Sequence, residues 1–389
     1  YQVPLNLKVV IVGGGASGLR AALALSSVGY HVTVFERSND LGGHACTKEV
    51  LDGKHLREPA FGAFREAQWP NLIALLKSLN VPTHSHGSSH DWLDSPFVGW
   101  WREGSGWTQP SPEVEEEAKQ FIVALSKCLT QPDADGESVG DLIQRLGLSN
   151  EFITTWFAGG VIHYFAGQPL EYYLSYPARL LAWMWLNNAE RQDGEPIQLL
   201  KVDNQEYIAT LAEALRAKGV SIRTNTSVAV ASRTEGRIEL TTSRSDKAMV
   251  SESFGHLILA IQPQHCLTTL GDHRTVDERS VLGGFHHTID VVRIHRDSPT
   301  GSELSKLLTI MLPNASEASP QPKDTLPMVI TKTCERDNQT PIYASYNYAE
   351  AKLYEGADAF PFEHVQVTPA TQRLRQRLKD LQGLQSVHY

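Results

Sequence analysis

The segment Val9-Val-Ile-Val12-Gly13-Gly14-Gly15-Ala16-Ser17-Gly18 decides the fold. Its apolar run ends in G-x-G-x-x-G, an apolar helical stretch follows from Leu19 to Val28, and Gly29 closes it. His31-Val-Thr-Val-Phe35 then reads as a second strand that ends on Glu36-Arg37. Strand, glycine turn, helix, strand and terminal acid together form the first half of a dinucleotide-binding unit. Gly13 permits the tight turn, Gly15 lets a pyrophosphate approach the backbone, and Gly18 lets helix and strand pack closely. The phosphates would meet the free N–H groups and positive end of a helix beginning near Ala16 and Ser17. Glu36 is placed to accept hydrogen bonds from both ribose hydroxyls, and its charge would repel a 2′-phosphate, which disfavours NADP. A glycine-rich surface turn that binds nothing would need neither the strand before nor the acid after.

The next residues extend the pattern. Glu36-Arg37, followed by Leu41-Gly42-Gly43-His44, resembles the R-x-x-x-x-G-G extension of the flavin amine oxidase superfamily, which includes monoamine oxidases, phytoene desaturases and polyunsaturated fatty acid isomerases. The resemblance implies FAD as cofactor. It also implies an α/β fold in which an FAD-binding Rossmann-like domain carries an inserted helical and β substrate domain, of the amine oxidase or glutathione reductase-2 type. In that family the Gly-Gly backbone approaches the pyrophosphate from the side opposite the first glycine loop. His44 would then contact phosphate or ribityl.

Composition sets the outer bounds. The chain has 389 residues, 41% hydrophobic and 20% charged, as in ordinary globular proteins, and is long enough for two large domains. A net charge of −9 and a pI near 5.9 argue against nucleic acid or an anionic membrane surface as partner. No apolar run reaches the length of a membrane span, so no integral membrane segment is expected. Cys46, Cys128, Cys266 and Cys334 are scattered without CxxC or metal-ligand spacing, which fits reduced thiols and a cytoplasmic location. Sequons at Asn225, Asn314 and Asn338 leave secretion open.

Further along, Thr47 to Arg65 reads as a short strand, a turn at Asp52-Gly53 and an extended return. The equivalent segment in the resembling families runs beneath the flavin ring, which places Gly62 and Ala63 near the flavin, although Glu58-Pro59-Ala60 stands where Asp-x-Gly is common. Asn71 to Leu79 has helical apolar spacing. His84, His86 and His90 read as solvated loop residues, because no carboxylate or cysteine follows at ligand spacing; no metal site is expected. Trp92 to Trp107 reads as a strand pair that either covers substrate or packs as core. Pro112 to Pro196 reads as helical, with segments at Glu113–Cys128, Val139–Leu146 and Glu151–Trp156 and one aromatic-rich helix over Tyr172–Trp185. Such aromatic residues either line a cavity for a small hydrophobic substrate or fill the region's own core. His163 and Tyr164, after the Gly159-Gly160 break, are the acid–base candidates, each weighed against a structural role.

Val220–Thr224 and Thr226–Val230 read as strands returning to the cofactor domain. By the same resemblance Val228 would give its backbone to adenine, and Ala260 would sit where the Rossmann half closes over the pyrophosphate. Asp203-Asn204 stands where the family has Gly-Gly. From Phe254 onward the chain looks like a group of FAD-binding proteins associated with lipid or fatty acyl modification. Amine oxidases commonly carry a lysine on the strand near Val291–Ile294, holding a water at flavin N5; none occurs there. Leu374–Leu381 reads as a helix and Gly383–Tyr389 as a strand leading into the family's last FAD motif. A missing segment or a second chain after Tyr389 would complete the FAD site.

The expected organisation is therefore an FAD-binding domain over 1–80 and 199–265, a substrate domain over 81–198 and 266–372, and the start of a C-terminal FAD-binding segment at 373–389. The expected chemistry is hydride transfer from a hydrophobic, lipid-like or secondary-metabolite substrate to flavin N5. Redox-neutral double-bond isomerisation of unsaturated fatty acids and a non-catalytic FAD-stabilised binding protein are the alternatives.

Overall fold

Val9, Val10, Ile11 and Val12 are all buried, as a central strand covered on both faces requires. In the computed structural model, which describes residues 3–50, 55–57, 63–64, 66, 69–86, 98–102, 106–131, 136–158, 170–189, 197–244, 247–296, 308–312, 328–334, 341–346 and 358–389, this strand (Lys8–Val12) is the middle of a five-stranded parallel sheet. The order is Ser221–Arg223, His31–Phe35, Lys8–Val12, His256–Leu259, Val387–His388. The chain therefore reverses its direction of growth beside Lys8–Val12, and ligands of such sheets bind at the strand C-termini at that point.

Alternate residues of the central strand serve two cores. Val9 and Ile11 pack with Leu19 and Ala22 of helix Ala16–Ser27 and with Tyr207, Ile208, Leu211 and Leu215 of helix Asn204–Ala217. Val10 and Val12 face the other way, onto Ile238, Leu240 and Phe254 and onto Cys266, Leu270, Val281 and Leu282. Those residues belong to an antiparallel meander (Ser227–Thr234, Arg237–Arg244, Lys247–Phe254) and to helices Pro263–Leu270 and Val276–Leu282. Each fully buried aliphatic contributes about 1.5–3 kcal/mol.

A seven-stranded sheet lies apart from the parallel one, in the order Asp358–Val365, His287–His295, Pro341–Tyr346, Met328–Cys334, Leu308–Leu312, Val98–Arg102, Gly106–Thr108. Trp100, Trp101 and Trp107 thus sit on an antiparallel strand pair, with Trp101 paired to Trp107, whose inner strand Val98–Arg102 runs parallel to Leu308–Leu312. Between the sheets in sequence lies a helical region. Pro112–Lys127 is capped by Ser111, and Val139–Leu146 begins with a Ser138/Asp141 capping box and ends at Gly147.

Three expectations are corrected. His84 and His86 are not in a loop: they lie on strand Thr83–His86, paired with Ile197–Leu200, whose backbone groups Thr83–His86 satisfies. Residues 172–185 do not form one helix. Pro177 separates Leu170–Leu174 from Ala178–Ala189, because it has no N–H for a continuing helix, and its bridge to Ser138 fixes the turn. The helical segment expected over Glu151–Trp156 is present as Phe152–Phe157, wound with the wider π spacing. Residues 383–389 form mostly a turn, Leu384–Ser386, before the two-residue strand Val387–His388, since Gly383, Gln385 and Ser386 all have positive φ.

Candidate functional site

The first glycine loop is shaped by what its neighbours leave no room for. Gly13 sits at φ +112°, its N–H donates to the Phe35 carbonyl at 2.8 Å, and a Cβ there would strike the Ala260 carbonyl. A Cβ on Gly18 would collide with the Gly13 carbonyl oxygen, so Gly18 closes the helix onto the loop. Gly15 differs: the nearest atom to its Cβ would be the Gly42 oxygen at 4.0 Å, leaving open space in front of the backbone. Gly15 is also the N-cap of helix Ala16–Ser27 and supplies no side-chain oxygen to the first turn. The first-turn N–H groups, which have no intrahelical acceptor, thus face the space beside Gly15.

A second glycine loop meets the first. Gly42 sits at φ +107°, its N–H donates to the Gly14 carbonyl at 2.8 Å, and Gly42 pairs with Gly15 in an isolated parallel bridge. A Cβ on Gly43 would lie 3.4 Å from the Gly15 Cα. The site is therefore walled by backbone from two sides, and helix Asn204–Ala217 backs the second loop through Ile208 and through the Gln205 N–H bond to Thr47 Oγ1 at 3.1 Å. Asp203 caps that helix by accepting from the Glu206 N–H at 2.8 Å, and Asn204 beside it is buried.

Glu36 ties the cradle together. One carboxylate oxygen accepts the Gly14 N–H at 2.7 Å and the other the Ser38 N–H at 2.8 Å. A carboxylate offers about four acceptor positions, so two remain for a pair of ribose hydroxyls. The Glu36 carbonyl accepts the Thr226 N–H at 2.9 Å, which brings half-buried Val228, two residues on, to the same end of the sheet. Ala260 is held by its N–H bond to the Val12 carbonyl at 2.9 Å and covers Gly13 and Gly18. Arg37 and Ser17 are exposed, and Ala16 is half-buried. These residues set backbone N–H groups and a carboxylate around the open space at Gly15, which fits a dinucleotide.

His44, directly after the second loop, is exposed but lays its ring edge-on against Phe362 (5.4 Å between centroids) and His364 (4.7 Å). Withdrawal from water and repulsion by His364 push its imidazole below the ordinary value, and Glu363 pulls partly back. Ala63 lies on strand Ala63–Phe64, paired with Gln198 and Leu199. Gly62, His163, Tyr164 and His90 lie outside the described residues. The described aromatic residues of the helical region (Phe121, Phe152, Trp156, Phe157, Tyr172, Tyr173) are buried against one another as a core of that region. Among the described residues no group of three or more His, Cys, Asp or Glu could hold a metal ion, and no helix is long and apolar enough to cross a membrane.

Sequence reasoning passed over three contributors. Gly14 is a variable position of G-x-G-x-x-G, yet its Cβ would overlap Leu41 and crowd Glu36, and its N–H holds the acid. Only its place opposite the acid could have singled it out. Phe362 and His364 carry no motif signal; their approach to His44 is a product of tertiary packing. A buried ion pair was missed too. Arg233 donates to Glu278 through two parallel bonds of 2.8 and 2.5 Å, and the Tyr389 hydroxyl donates to the same carboxylate. Burial pushes the Glu278 carboxyl up, but the bonds from Arg233, Tyr389 and the Thr275 N–H outweigh it and hold it below the usual range.

Comparison with known proteins agrees with this architecture. The family profile of an NAD(P)-binding Rossmann-like domain matches residues 11–79. The (S)-6-hydroxynicotine oxidase of Paenarthrobacter nicotinovorans is 37% identical over 75 residues, 19% of this chain and 18% of that protein. An FAD-dependent oxidoreductase of Colletotrichum higginsianum is 42% identical over 53 residues, 14% of this chain and 11% of that protein. The chain thus matches under a fifth of the length of these curated relatives. Over nearly the whole chain, the structure of a putrescine oxidase bound to putrescine superposes with a TM-score of 0.64 at 17% identity, covering 98% of this chain and 92% of that one. The chain has the fold of that putrescine oxidase.

Proposed function

We propose that this chain is an FAD-dependent oxidoreductase that takes hydride from a hydrophobic, lipid-like or secondary-metabolite substrate. The observation that carries the reading is the two-sided backbone cradle, in which Gly15 and Gly43 face each other across the bridge Gly15–Gly42 while Glu36 keeps acceptor capacity for a ribose. Bound there, FAD would supply a hydride acceptor at flavin N5. The first-turn N–H groups after Gly15 would offset pyrophosphate charge, and Glu36 would fix the adenosine ribose. Gly13 and Gly18, clamped against Ala260, would keep the loop from relaxing away from the phosphates. Support for a hydrophobic substrate comes from the sequence alone, in the tryptophans between Trp92 and Trp107. His163 and Tyr164 are carried forward as acid–base candidates, and residues 81–198 with 266–372 as the substrate domain, on the sequence reading.

The test is a visible spectrum of purified protein reconstituted with FAD, before and after anaerobic addition of unsaturated lipids, cyclic amines or aromatic secondary metabolites. The expected result is a flavin band that bleaches with one of these classes and stays bleached until an acceptor is added. A band that persists while double bonds migrate in the lipid replaces oxidation with redox-neutral isomerisation. Failure to retain FAD overturns the proposal.

A further inference from the structure

His44 stands where two parts of the molecule meet. Its backbone follows Gly42 and Gly43, which touch Gly14 and Gly15 at the mouth of the cradle. Its ring lies against Phe362 and His364, neighbours on one face of strand Asp358–Val365 in the seven-stranded sheet. Glu363, on the alternate face, sits 3.0 Å from His265 Nε2. From that strand the titratable groups acting on His44 are therefore His364, which repels a proton on it, and Glu363, which attracts one. Neither glycine loop carries a titratable side chain between residues 13 and 15 or 42 and 45 apart from His44 itself.

An imidazole at the edge of an anion cradle has two states of very different use. Neutral, it adds a weak hydrogen bond to a phosphate; protonated, it adds a charge-assisted one of roughly twice the strength. Withdrawal from water and then the second ring beside it favour the neutral state while no anion is present, and a diphosphate reverses that balance by bringing in negative charge. By linkage, a group that binds a proton more tightly in the complex makes the complex tighter at lower pH.

We propose that His44 couples proton uptake to dinucleotide binding, its imidazole gaining a proton from solvent as the pyrophosphate enters the cradle. The proposal rests on the FAD reading above and adds to it a pH dependence of cofactor affinity. His364 is a positioning residue in this scheme: it holds the ring and sets how reluctantly it is protonated in the free site.

The test is a fluorescence titration of the apoprotein with FAD at pH 6, 7 and 8, with calorimetry at pH 7 in two buffers of different ionisation heat to count protons. ADP, which keeps the diphosphate but lacks the flavin, serves as a second probe. Expected are an affinity about tenfold higher at pH 6 than at pH 8, which is about half a proton taken up on average over that range, and net proton uptake with both probes. His44→Gln is expected to bind FAD with a flat profile over this range, and His364→Ala to show less uptake, because its free site already carries part of the proton. A wild-type profile without proton uptake, or an unchanged profile in His44→Gln, overturns the proposal while leaving FAD binding intact. No FAD binding at any pH overturns both.

Discussion

At the scale of single residues, the glycines of the first loop do two separable jobs. Gly15 faces open space, so a side chain there enters the cradle, whereas at Gly18 it enters the fold. Gly15→Val is expected to lose bound flavin with the apoprotein's unfolding midpoint close to wild type. Gly18→Ala is expected to lose about 1–3 kcal/mol of stability, because the Gly13 carbonyl must move. Flavin absorbance and urea unfolding on both variants check this; a Gly15→Val protein with full flavin would remove the loop from the site. Gly13, Gly15 and Gly18 were legible in the sequence because local backbone geometry selects them. The pairing of His44 with His364 was not, because it depends on packing between segments far apart in the chain.

At the scale of elements, the pair Arg233–Glu278 bolts helix Val276–Leu282 to strand Ser227–Thr234, and both side chains are essentially shut off from water. Glu278→Gln leaves the guanidinium buried without its counter-charge and is expected to cost about 3–5 kcal/mol, read as a shift in denaturation midpoint. The sign of the pH effect follows from a carboxyl held below its ordinary value. The stabilisation is complete above the unfolded pKa of about 4.3 and is lost as pH falls through the lower folded value. Wild-type stability is therefore expected to drop below about pH 4, and that of Glu278→Gln to drop less over the same range. Element boundaries were legible where capping residues mark them, as at Ser138–Asp141 and Gly147. They were misread at Tyr176-Pro177, where aromatic periodicity runs on across a proline that ends the helix, and at His84–His86, where polar residues conceal a strand made by its partner Ile197–Leu200.

At the scale of the molecule, the parallel sheet and the seven-stranded sheet are each assembled from distant segments. The first joins residues 8–12 with 256–259, the second 98–102 with 308–312. The parallel sheet was foreseen because its first half is one contiguous motif. The second sheet's strand order was not, since hydrophobic alternation tells a strand which face to bury but not which strand to pair with. The cradle joins loops on both sides of strand His31–Phe35, so a ligand seated in it binds the folded state alone. FAD at 100 times its dissociation constant is therefore expected to add about 2.7 kcal/mol to stability and to raise the melting temperature in step with its concentration. A melting temperature indifferent to FAD would contradict that expectation.

The central strand also has a history imposed by its neighbours. Lys8–Val12 finds His31–Phe35 almost as soon as both leave the ribosome, but its other partner, His256–Leu259, follows only after some 10–50 s of synthesis at about 5–20 residues per second. Through that interval Lys8–Val12 carries an unpaired backbone edge, and Val10 and Val12 lack the apolar neighbours at 238–285 that cover them in the finished protein. The nascent chain is thus most exposed to chaperones, and to other copies of itself, while the middle of its own message is being read.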